Sequence, residues 1–173
     1  MSRPRPDLLP TVFSVLVFVT SYAIVNDQLI AAFAPIHFTV YHPQIFPFKQ
    51  AWALALGFSL VATIGPGLAW GFVLYWAAHF GSGPVPARRN ILLGAGAVVI
   101  VTAASAWGLG WHVAKTGVLP YSKFFYPIEN DNLNVTQTIQ LTNYLVGASG
   151  AALWTLAVWS WRIWHMPPPE PGK

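Results

Sequence analysis

Ala51 to Phe80 is a run of thirty residues without a formal charge, and it constrains this chain more than any other stretch. As a straight helix it would measure about 45 Å at 1.5 Å per residue, against a bilayer hydrocarbon core of about 30 Å. Three further apolar runs accompany it, Leu8–Val25, Ile91–Val113 and Thr136–Trp161. A soluble domain carries about 25% charged residues; this chain of 173 carries 8%, with 55% hydrophobic and a mean hydropathy of +0.52. These runs predict an all-α membrane protein with four transmembrane helices, forming a single membrane domain over residues 1–173. Ser21 and Ala23 would also suit a signal-peptide cleavage site after the first run. Its eighteen residues are enough to span, and it is read as the first transmembrane helix. The excess length of the second run must go into tilt, a kink or a projecting end. Gly65-Pro66-Gly67 lies mid-run and predicts a kinked or broken helix there, because proline lacks a donor and crowds the preceding turn. After the fourth run, the Pro-rich tail at 166–173 is expected to be extended and mobile.

Composition also excludes chemistry. The chain has no cysteine, which removes disulfide exchange, thiolate metal sites, cysteine nucleophiles and c-type haem attachment together. A net charge of +4 does not point to nucleic acid, because the basic residues are scattered and flank apolar runs. Topology accounts for them better. With four spans, the termini and the turn at 81–90 share one side, which holds Arg3, Arg5, Arg88, Arg89, Arg162 and Lys173. The other side holds Lys49, Lys115 and Lys123, offset by Asp27, Glu129 and Asp131. The positive-inside rule then predicts cytoplasmic N- and C-termini in a multi-pass cell-membrane protein of the bacterial inner-membrane kind.

Two connections, at 26–49 and 114–135, are 24 and 22 residues long, beyond ordinary helix connections. They carry many apolar side chains, so they are expected to fold together as an extracytoplasmic cap over the bundle mouth. Asp27, His37, His42 and His112 map to that end and form the candidate polar binding cluster. A metal is not expected there, since the alternation around His37 and His42 suggests an extended segment that points the two rings to opposite faces. Haem is not expected either, because His79 and His112 fall at opposite ends of their helices and bis-histidine ligation needs one depth. Proton-coupled transport is disfavoured, because the four runs have no carboxylate away from their ends. No catalytic constellation and no cofactor motif is found; Glu129 and Asp131 read as a solvated turn. Asn134-Val-Thr136 matches a glycosylation acceptor.

Helices in lipid associate through small residues and hydrogen bonds. Thr136, Gln140, Asn143, Gly147, Gly150 and Trp154 recur at spacings of three and four and share one face of the fourth run. Gly94, Ala97, Val101, Ser105, Gly108 and His112 do so on the third, and Gly67-x-x-x-Gly71 on the second. These faces are expected to pack within the bundle, with docking of a protein partner or a second copy as the alternative.

Asp27-Gln28, then Phe38-Thr39-Val40 leading to His42-Pro43, followed by Gly57, Ala62-Thr63 and further glycines, resemble a group of uncharacterised bacterial membrane proteins of similar size. The resemblance covers roughly residues 20 to 80 and implies a four-helix membrane fold without implying an activity. Taken together, these features predict a non-enzymatic binding or assembly protein or a small subunit of a membrane complex. The alternative is a membrane enzyme or carrier for a lipid-soluble molecule such as a quinone, held under the outer loops.

Overall fold

The computed structural model of the protein describes residues 8–81, 83–126 and 129–166. Among them every regular element is helical. The order is α1 (Leu8–Phe33), the single-turn α2 (Ile36–Thr39), α3 (Ala51–His79), α4 (Arg88–Thr116), a 3-10 turn at Lys123–Phe125, and α5 (Asp131–Trp164). The four long helices are all long and apolar enough to cross a membrane. The predicted mobile tail lies outside the described residues from 167 onward.

All four helices differ in extent from the sequence reading, α3 by a single residue, and the causes are local. α1 continues eight residues past Val25, because Asn26 and Asp27 sit on its inner face with partners; it stops just ahead of Pro35. Proline disfavours helical geometry in the residue before it. α5 begins at Asp131, five residues before Thr136. There the Asn130 side chain accepts from the Leu133 N–H at 2.9 Å, an N-cap that leaves Asp131 in the favourable first turn. α4 runs from Arg88 to Thr116, three residues beyond the predicted run at each end, and Gly117, at φ 69°, closes it by donating to the Val113 carbonyl. α3 ends at His79 and is not broken: it runs through Pro66.

α1 packs chiefly on α3, and α4 on α5; α3 with α5, and α1 with α4, join the two pairs. Gly71 permits the first contact, since a Cβ there would lie 2.9 Å from the Val12 Cα. Two buried clusters fill the bundle. The upper one, where α1 ends and α3 begins, includes Ile30, Phe38, Leu54, Ala106 and Ile139. The lower one includes Val15, Leu74, Ile91 and Val158. Outward positions such as Val61, Phe72, Ile100 and Leu153 are exposed and apolar, a surface suited to lipid rather than water.

Arg162 closes the lower end. It is 1% exposed, and all five guanidinium hydrogens are directed at main-chain carbonyls of α3 and the turn after it. Nε donates to Pro84, one terminal nitrogen to Ala77 and Phe80, the other to Gly81 and Gly83. The sequence reading counted Arg162 only as a topological charge. The structure uses it to hold the turn between α3 and α4 against α5.

Candidate functional site

Asp27 is the centre of the upper polar cluster. The sequence reading put it in a loop; in the structure it lies within α1, six residues before the helix ends, and is 5% exposed. The spans therefore do contain a carboxylate away from their ends, which corrects the expectation that they lack one. Ser59 of α3 donates to its Oδ2 at 2.8 Å, and Asn26 to its Oδ1 at 3.0 Å. Gln140 of α5 approaches the same Oδ1 at 3.5 Å. Ser59 also approaches the Ala55 and Ala23 carbonyls. One turn further into the bundle, Tyr22 donates to Asn143 at 2.7 Å, and Thr63 to Thr20 at 3.1 Å. A carboxylate can accept about four hydrogen bonds, so Asp27 joins α1, α3 and α5 through a nearly filled set of acceptors.

His37 and His42 do not point to opposite faces. Ile36–Thr39 forms a helical turn rather than an extended segment, and the two ring centroids are 5.0 Å apart. His42 Nδ1 donates to the His37 carbonyl at 2.7 Å, folding the chain back on itself. Its ring packs on Phe38 and Phe58. His37 is fully buried, with Nδ1 2.9 Å from the Thr136 hydroxyl. Thr136 itself donates to the Leu133 carbonyl, so the proton between them belongs to His37 Nδ1, and Nε2 is the bare nitrogen. That nitrogen is buried and meets no partner among the described residues. Burial, and secondarily the charge of His42, lower the His37 pKa from its ordinary 6.5 to about 3. The ring is neutral across the physiological range.

His112 stays apart. It is exposed on α4 and makes no side-chain hydrogen bond or ring contact among the described residues. The predicted set of Asp27, His37, His42 and His112 thus separates into an Asp27 network, a His37–His42 pair and a remote His112. Among the described residues no three His, Cys, Asp or Glu side chains gather as a metal ion would need. Thr136 is fully buried within α5, so Asn134-Val-Thr136 is not presented as a glycosylation loop.

The predicted face of α5 is used in full. Thr136 meets His37, Gln140 meets Asp27 and Asn143 meets Tyr22, while Gly147, Gly150 and Trp154 pack on α4. On α4 the outcome differs: Gly94 is covered by the Trp154 indole, but Ala97, Val101, Gly108 and His112 face outward. Sequence reasoning missed Ser59 and Tyr22. A serine within the apolar run of α3 was the available signal for the first. Two grooves open at this end, of about 360 Å³ beside Phe33 and Gly117 and about 580 Å³ beside Leu119 and Lys123. Asp27, His37 and His42 line neither. Comparison of the chain with protein-family models, with curated proteins and with solved structures finds no match.

Proposed function

We propose that the chain is a multi-pass cell-membrane protein that works by binding and assembly rather than catalysis, as a small subunit that presents the outer face of α4 to another helix. The observation that carries this reading is how the polar groups are used. Asp27 is taken up by donors from its own helix, α3 and α5, and no groove described at that end reaches it. Such a network braces a bundle; it does not expose a reacting group. Outward, Val101, Ala104 and Gly108 form an exposed small-residue face, and a Cβ on Gly108 would meet nothing within 4 Å. Ala104-x-x-x-Gly108 is the spacing that lets two helices approach closely in lipid. Purification in mild detergent followed by intact-mass measurement tests the reading. A particle heavier than one 18.9 kDa chain is expected, from a second copy or another protein; a lone chain would count against it.

The two long connections are read as one extracytoplasmic cap. In support, Phe38 and Phe46 of the first and Leu119 of the second pack on the same buried cluster. Tyr121 and Tyr126 also bond Thr142 and Thr138 of α5, at 2.7 and 2.9 Å. The termini are read as cytoplasmic because Arg88 and Arg89 stand at the lower end with Arg162. A carrier for a lipid-soluble molecule is the second reading. A groove of about 470 Å³ between α3 and α5, walled by Phe72, Trp76, Phe80 and Trp159, favours it. That groove lies at the lower end, away from the cluster. Mass spectrometry of an organic extract of the purified protein distinguishes the two, by recovering a stoichiometric small molecule or none.

A further inference from the structure

At the lower end a groove of about 570 Å³ runs between α1 and α4. Arg88 and Arg89 stand at its head, and Phe18, Leu93, Gly96 and Ile100 line its length. Arg88 is held in place, donating to the Pro10 carbonyl and the Ser14 hydroxyl at 3.1 Å each. Arg89 is exposed and makes no hydrogen bond or ion pair among the described residues. The described carboxylates, Asp27, Glu129 and Asp131, are all at the upper end, so nothing described there offsets this charge. Beyond the arginines, toward the middle of α4, the wall is apolar. A Cβ on Gly96 would meet nothing within 4 Å, and Ile100 is 70% exposed. Arg89 to Ile100 spans about 17 Å along a helix, close to one leaflet of a hydrocarbon core of about 30 Å.

We infer that this groove holds an anionic phospholipid, with its phosphate at Arg88 and Arg89 and an acyl chain lying along α4 past Gly96. Charge at the head selects the headgroup, since arginine forks match phosphate oxygens. The apolar length selects a lipid over a free anion, which would have no use for the wall beyond the arginines. On α4 the groove lining ends at Ala97 and Ile100, next to Val101, where the face proposed for assembly begins; lipid binding is read on the isolated protein and does not require a partner on that face.

The test is titration of the delipidated, detergent-purified protein with phosphatidylglycerol, with phosphatidylcholine of the same chains, and with inorganic phosphate, read by native mass spectrometry. Phosphatidylglycerol should bind more tightly than phosphatidylcholine, and inorganic phosphate should not displace it. Arg89→Gln, which breaks no hydrogen bond or ion pair among the described residues, should weaken phosphatidylglycerol binding by roughly fivefold, the scale of one basic residue at an anionic surface, and leave phosphatidylcholine unchanged. Gly96→Leu, which fills the groove from open space, should weaken both lipids. Equal binding of the two lipids, or an Arg89→Gln protein that binds like the parent, would overturn the inference. Displacement by inorganic phosphate at equal concentration would do the same, leaving an anion site without a lipid.

Discussion

His37 and Arg162 show how far burial alters the meaning of a charged or titratable residue. His37 is neutral in the fold, with its pKa lowered from 6.5 to about 3 by burial and by His42. The folded state therefore binds fewer protons than the unfolded state between those values, and the stability His37 confers is present above about pH 6.5. It is lost as the pH falls toward 3, with a slope of at most about 1.4 kcal/mol per pH unit. Thermal unfolding in detergent across pH 4 to 8 should show the decline, and His37→Gln should flatten it. An unchanged slope in that variant would mean His37 does not titrate with folding. Arg162 fills all five donors with carbonyls of α3 and its following turn. Lysine has three donors and no planar fork, so Arg162→Lys should cost about 1–3 kcal/mol by leaving carbonyls unpaired. The check is the same unfolding measurement, and a variant as stable as the parent would contradict it.

Between helices, Asp27 is the connection that matters most. Removing it strips an acceptor from Ser59, Asn26 and Gln140 at once, and so loosens α1 from both α3 and α5. Asp27→Ala should lower stability by about 1–3 kcal/mol, and Asp27→Asn, which keeps one acceptor oxygen, by less. Equal losses would argue that the carboxylate's bonds are not what joins the helices. The four spans and the inner face of α5 were legible in the sequence because apolar length and a three-four repeat are local signals. The polar network was not, for two reasons. Asn26 and Asp27 looked like a helix end by polarity, whereas the chain continues to Phe33 because those side chains find partners on helices distant in sequence. The segment from His37 to His42 alternates like a strand, yet it is too short for periodicity to decide; Pro35 and the His42–His37 carbonyl bond make it a turn of helix. On α4 the repeat of small residues was visible, but which part faced inward was set by Trp154 filling Gly94.

For the whole molecule, topology and assembly are the claims at stake. Arg162 is committed to internal carbonyls, but Arg88 and Arg89 remain exposed at the lower end, so the positive-inside argument keeps its direction. Reporter domains active only outside the cytoplasm should be silent when fused at residue 85 and active near 45 and 125; the reverse pattern would invert the protein. Assembly through α4 is the central claim, and the absence of native cysteine makes it directly measurable. A single cysteine placed at Gly108 sits on the outward face, where added atoms meet nothing in the fold. A second variant with cysteine at Leu153, 67% exposed on α5, serves as the control. Oxidative cross-linking in native membranes should give a product larger than one chain from Gly108→Cys and far less from Leu153→Cys. Equal yields from the two positions, or none from Gly108→Cys even with a bifunctional thiol reagent that reaches lysines, would contradict the account.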